Sequence, residues 1–232
     1  MCDLWRHTTR SDTPRGAIPA QLAAARKVWR DQGEPISRIK LYNASNFFDP
    51  RAVPEADYSI IAGELSGLDQ VIVEAHPSLV GPRVDGFLST LDGPSLEVAM
   101  GLETAHPAAL DALNKRMTPD DFARAARWLR DRSISVRVFL LISPPFIPTD
   151  EQDEWLLRSV DFAASCGASA ISLIPTRGGN GAMEALARQG LFRAPTAADV
   201  ARSFELVSSR LAPSPQPPAP RVFLDPWAAN AS

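Results

Sequence analysis

Five short apolar runs recur along the chain, at 36–41, 70–73, 97–102, 136–142 and 170–174. Each is separated from the next by a helix-length segment, and no two-residue hairpin signal joins any pair. Parallel strands need long crossover connections, usually helical, so this alternation predicts right-handed βαβ units in a parallel sheet. Helices are expected at about 20–30, 56–65, 118–132, 149–166, 182–189 and 197–211. The clearest start is Thr118-Pro119-Asp120-Asp121, with a hydroxyl at the N-cap, proline at the first helical position and acids in the first turn. Residues 1–17 read as loop. The expected organisation is one domain over 1–211, followed by a Pro-rich linker and tail at 212–232, within which Arg221–Leu224 can add an edge strand. Alternation alone does not choose between a doubly wound sheet and a barrel. The strand ends favour a barrel, because Asn43, Glu74, Glu103 and Pro175 fall just after their strands. The fold class expected is therefore α/β, a partial (β/α)6 TIM-like barrel with function on its carboxyl-terminal face.

Composition enters mainly as an exclusion. A net charge of −3 over 232 residues, with 45% hydrophobic residues, suggests neither a nucleic-acid surface nor disorder. No apolar run approaches the roughly 20 residues of a membrane span. The start, Met-Cys-Asp-Leu-Trp-Arg-His, lacks the basic end and apolar middle of a signal peptide, so a cytoplasmic location is expected. Two cysteines are too few for a disulfide framework. Cys166, in Ala-Ser-Cys-Gly-Ala at the end of a helical pattern, reads as a buried structural thiol.

The candidate site centres on Leu96 to Lys115. The apolar run Val98–Leu102 stops at Glu103, and His106-Pro107 opens a short helical pattern. Charge is costly where a buried strand gives way to a loop, and a carboxylate there usually faces a ligand. Lys115, about one helix later, can return a cation to the same mouth. This combination suits an adenosylated cofactor; the same residues also read as a capped helix start beside a strand end.

Laid out this way, the chain resembles the radical S-adenosylmethionine (radical SAM) superfamily over about residues 1–192, in the subgroup near MiaB, the Elongator catalytic subunit and the coproporphyrinogen dehydrogenases. Glu74, in Val-Ile-Val-Glu-Ala-His-Pro, resembles the family's third-strand acid. Gly101-Leu102-Glu103-Thr104 resembles its fourth-strand Gly-hydrophobic-Glu/Gln-Ser/Thr motif, and Asn114-Lys115 the Asn-Arg or Asn-Lys pair that follows. Asn43-Ala44-Ser45 occupies the place of the second-strand Gly-Gly-Glu, a departure that leaves only the backbone role. Ile174-Pro175 matches the sixth-strand apolar pair that lies against adenine. The family holds a 4Fe-4S cluster through Cys-x3-Cys-x2-Cys, and Met1-Cys2-Asp3-Leu4-Trp5 resembles the tail of that loop. Cys2 would then be the third ligand, with the first strand and two cysteines missing from this chain.

The resemblance implies these roles: Cys2 for the cluster; Glu74 and Glu103 for ribose hydroxyls or the methionine amino group; Lys115 for the methionine carboxylate; Ile174 for adenine; and Asn43, Ala44 and Ser45 through backbone. It also implies S-adenosylmethionine and a 4Fe-4S cluster as cofactors, with an electron donor such as flavodoxin or ferredoxin. The substrate is unknown, with RNA among the possibilities. Two other readings stay open: a metal-dependent barrel hydrolase or isomerase using Glu74, His76, Glu103 and His106, and a non-catalytic truncated barrel retained as a scaffold.

Overall fold

The computed structural model describes residues 8, 11–33, 35–43, 45–211 and 218–225. The expected positions Cys2 and Ala44 lie outside the described residues. Helix α1 (Ala17–Gln32) leads to β1 (Arg38–Leu41), a single turn of tight helix and α2 (Tyr58–Glu64), then β2 (Gln70–Glu74) and α3 (Pro82–Leu88). Next come β3 (Ser95–Glu103), α4 (Pro107–Ala112), α5 (Pro119–Arg130), β4 (Ser135–Ile142), α6 (Gln152–Ser165) and β5 (Ala170–Pro175). The last elements are α7 (Ala182–Arg188), α8 (Ala197–Arg210) and β6 (Arg221–Leu224). The six strands lie in chain order, every neighbouring pair parallel.

Local chemistry accounts for the better-marked elements. Thr118 and Asp121 close a reciprocal capping box at the start of α5, with Pro119 at its first position. Phe122, Ala125, Ala126 and Leu129 then bury at helical spacing against the sheet. The convex face of each strand packs the core: Val71 and Val73, Leu96 to Leu102 at alternate positions, Val136, Val138 and Leu140, Ile171 and Leu173. The opposite set points into the concavity.

The sheet is strongly curled. In a flat sheet β1 and β4 would stand about 14 Å apart, three strand spacings. Yet the Tyr42 and Phe139 rings meet edge-on with centroids 6.0 Å apart. Arg221 on β6 likewise reaches to 3.6 Å from Glu97 on β3. The amino-terminal half of the concavity is sealed by a buried polar layer. Arg137 Nε donates to Glu97 Oε1 at 2.6 Å, and Nη1 to Ser172 Oγ at 3.0 Å, with Gln70 Nε2 3.4 Å from the other Glu97 oxygen. A buried charge pair persists where its remaining hydrogen-bonding capacity is used, as here. The structure is an α/β half-barrel, open at the carboxyl-terminal end.

Two features depart from the sequence reading. The segment 55–64 is a short 3-10 turn followed by a seven-residue α-helix. Helix α3, between β2 and β3, has no counterpart in the expected elements; it is short, contains Gly86 and buries only Val84 and Phe87. Within the stretch assigned to linker and tail, Arg221–Leu224 pairs with β5 as a sixth strand. Among the described residues no helix is long and apolar enough to cross a membrane.

Candidate functional site

Glu74 and Glu103 are the last residues of β2 and β3, and Lys115 returns to them from beyond α4. The pairing register of β3 with β4 slips between Gly101 and Glu103, and Glu103 adopts a left-handed backbone (φ 66°). The bulge turns the Glu103 carboxylate back over Gly101, into space that a β-carbon at 101 would fill. This is the physical reason for Gly at the head of Gly-Leu-Glu. Lys115 Nζ donates to Glu103 Oε1 at 2.7 Å, with the side chains 30% and 15% exposed. Glu74 shares this mouth: burial, then repulsion from Glu103, push its carboxyl up to about 7, with Lys115 opposing. The arrangement offers one carboxylate already paired with an ammonium and a second, largely buried, carboxyl held toward its protonated form.

The loops that hold the mouth are tied by named contacts. Asn114 (φ 55°) and Arg116 (φ 52°) flank Lys115 in left-handed conformations, which Asn tolerates better than most residues. His76 accepts Ser78 N–H at one ring nitrogen and lies 2.9 Å from the Lys115 carbonyl with the other, so Nε2–H is the donor. The His76 backbone N–H donates to Asn46 Oδ1, joining the loops after β1 and β2. Behind Glu103, buried Thr104 accepts from the His106 N–H, and Ser159 of α6 accepts from Ala105 N–H while donating to Trp155 O. The sequence marks His76 only as a candidate metal ligand and Gly101 only within the Gly-Leu-Glu-Thr motif; the bond from His76 to the Lys115 carbonyl and the space Gly101 leaves for Glu103 come from the fold.

The other expected positions distribute around the same end. Asn43 Oδ1 accepts the Ser45 N–H at 2.9 Å, so that loop is closed on itself. Ile174 is half-buried on the concave face opposite Leu141 of β4. The Ser143 to Phe146 turn lines, with Leu191, Phe192 and Arg193, a 360 Å³ cavity at the same rim. Cys166 is a free, buried thiol at the end of α6, its ionisation opposed by burial. His76 and His106 both serve as helix caps, His106 accepting Ala109 N–H at 3.2 Å and lying against Trp155. Among the described residues no three His, Cys, Asp or Glu side chains converge to hold a metal. Nothing in the geometry favours the metal-dependent hydrolase.

No protein-family model matches the chain. Among characterised sequences it is 32% identical over 167 residues to archaeosine synthase subunit beta of Methanosarcina acetivorans, across 69% of this chain and 48% of that protein. The Thermococcus kodakarensis archaeosine synthase subunit beta is 28% identical over 47% of this chain and 35% of its own length. The chain thus spans half or less of the curated relatives it matches. Among solved structures, Elp3 of Methanocaldococcus infernus superposes with a TM-score of 0.65 at 15% identity, over 93% of this chain and 55% of the other. A radical SAM methyltransferase from Sphaerobacter thermophilus gives 0.63 at 15% identity, over 95% and 60%. The chain therefore carries the partial-barrel fold of the radical S-adenosylmethionine structures, the superfamily its strand-end motifs resemble.

Proposed function

We propose that this chain is the cofactor-binding half-barrel of a radical SAM enzyme. The observation that carries the reading is the Glu103–Lys115 pair seated over Gly101 beside Glu74, at the open carboxyl-terminal mouth of a parallel half-barrel. The donor set fits S-adenosylmethionine. Lys115 would meet the methionine carboxylate; Glu103 and an ionised Glu74 would accept from the amino group or ribose hydroxyls; Ile174 would lie against adenine. Holding the ligand in one orientation is the protein's task here, and the sealed polar layer below the mouth excludes water from beneath.

The described residues supply no set of thiolates for a 4Fe-4S cluster, so that part of the reading rests on Cys2 and the resemblance. When bound, such a cluster supplies the electron that cleaves S-adenosylmethionine reductively to a 5′-deoxyadenosyl radical, which abstracts hydrogen from substrate. An electron donor of the flavodoxin or ferredoxin class belongs to the same proposal. The name of the archaeosine synthase relatives adds a nucleoside base, within RNA, as the substrate class we propose.

Titration calorimetry with S-adenosylmethionine tests the site. Saturable binding is expected, weakened at least tenfold by Glu103→Ala with the fold intact; unchanged binding in that variant refutes the assignment. In-frame upstream coding sequence lacking a Cys-x3-Cys ahead of Cys2 would remove the cluster from the proposal.

A further inference from the structure

We propose that the cavity between the β4–α6 loop and the α7–α8 loop receives the base of the substrate, a planar ring bearing both hydrogen-bond donors and acceptors. This rests on the reading of the mouth as the cofactor site, and adds a second compartment on the same rim. The cavity measures about 360 Å³ and is lined by Ser143, Phe146, Thr149, Gln152, Phe192 and Arg193, among others. That size falls in the range of small-molecule sites. Ser143 directly follows β4, which puts the cavity at the carboxyl-terminal end of the sheet. None of Glu74, Glu103, Lys115 and Ile174 is among its walls, so it is separate from the cofactor positions.

The walls are built in advance of a ligand. Ser143 (φ 54°) and Phe146 (φ 68°) both take a left-handed backbone, a costly state for residues with a β-carbon. The Phe146 N–H donates to Leu191 O at 2.9 Å, tying one loop to the other. Gln152 Nε2 donates to Pro144 O at 3.0 Å and to Ile147 O at 2.8 Å. Both amide hydrogens are thereby spent, and turning the amide over would face its oxygen to two carbonyls. Gln152 Oε1 is buried and has no partner among the described residues. An acceptor left in that state is costly, and a ring N–H closing on this wall would relieve it. The Ser143 and Thr149 hydroxyls, each able to donate or accept, also make no hydrogen bond among the described residues. The Phe146 and Phe192 rings are half-buried, and neither meets another ring there. Flat apolar faces with polar groups around them suit a nucleobase, which stacks on aromatic side chains and is read along its edges. An aliphatic chain would leave the hydroxyls and the Gln152 oxygen unmet. A phosphate would find Arg193 as the only cation in the walls, and Arg193 already donates to Asp199 at 2.9 Å.

The test is calorimetric titration of the full chain with adenosine, guanosine, cytidine and uridine, with and without S-adenosylmethionine. At least one nucleoside is expected to bind saturably. Phe192→Ala should weaken it by about fivefold or more, the lower end of what stacking on one aromatic ring is worth. Thr149→Val changes an exposed position and should cost about fivefold, one neutral hydrogen bond, which keeps the test open if Phe192→Ala melts early. Both variants should bind S-adenosylmethionine as the parent does. No nucleoside binding, or undiminished binding in either variant that folds, overturns the proposal. A parallel loss of S-adenosylmethionine affinity in Phe192→Ala would make the cavity part of the cofactor site and overturns it as well. A nucleoside that binds with both expected losses, in a chain that fails to bind S-adenosylmethionine, supports the cavity and sinks the cofactor reading instead.

Discussion

Adding one methyl group at Gly101 separates the stability of the mouth from its ligand chemistry. Gly101 is not in the left-handed region, so alanine can adopt its backbone. The new β-carbon would overlap Glu103 Oε1 and stand 3.3 Å from Lys115 Nζ, forcing the pair aside. Losing a partly exposed ion pair costs about 0.5–1 kcal/mol. Gly to Ala at a compatible position recovers about 0.4–1 kcal/mol by restricting the unfolded chain. These nearly cancel, so the melting temperature of Gly101→Ala should stay within about 3 °C of the parent. Binding has no such offset: misplacing Lys115 removes a charge-assisted hydrogen bond of about 1.5–3 kcal/mol, or about tenfold to a hundredfold in Kd for S-adenosylmethionine. Calorimetry and thermal melting on the same preparation give both numbers. Unchanged affinity would refute the seating of the ligand over Gly101, and a fall of more than about 10 °C would make the glycine a folding requirement instead.

Three further outcomes follow from the same geometry. Glu74 binds its proton more tightly folded than unfolded, so its contribution to stability is greatest at low pH and declines as pH rises from about 4.5 to about 7. Affinity for a ligand whose cationic amino group faces it should rise over the approach to pH 7 and level off above, and Glu74→Gln should flatten both curves in melts and calorimetry. Glu97→Ala leaves the Arg137 guanidinium buried and uncompensated, which costs about 3–5 kcal/mol and should lower the melting temperature by roughly 10 °C; pairing it with Arg137→Met should restore most of that. His76→Ala frees the Lys115 carbonyl and should weaken S-adenosylmethionine binding with no change in zinc or manganese content by elemental analysis, whereas loss of bound metal would revive the hydrolase reading.

Much of the architecture was legible because it is local. The cap at Thr118 and the apolar run ending at Ile142 are each decided within a dozen residues, and they lie where the sequence puts them. The positions of Glu74 and Glu103 followed from strand ends, and one short helix suffices to return Lys115. Helix α3 was not legible, since seven residues containing Gly86 carry little periodic signal and two side chains do its burying. The curl was not legible either. It emerges from contacts such as Tyr42 with Phe139 and Glu97 with Arg221, whose partners are about a hundred residues apart or more and carry no shared local pattern.

The backbone, more than the side-chain inventory, decides where the acids and the cation point. Left-handed non-glycine residues are costly and persist where surrounding contacts hold them, commonly at functional sites. Among the described residues they are Glu103, Asn114, Arg116, Ser133, Ser143 and Phe146, and all but Ser133 lie on the loops leaving the carboxyl ends of β3 and β4. Four of them are braced from outside their own segment: Ser159 of α6 holds the turn after Glu103, His76 holds the carbonyl between Asn114 and Arg116, and Leu191 accepts from the Phe146 N–H. Ser133, just ahead of β4, is the one such residue at an amino-terminal strand end among those described, so the chain concentrates this strain on the carboxyl-terminal rim of the half-barrel. A lone helix cap beside a strand end needs none of this bracing. A rim that holds Lys115 against Glu103 does.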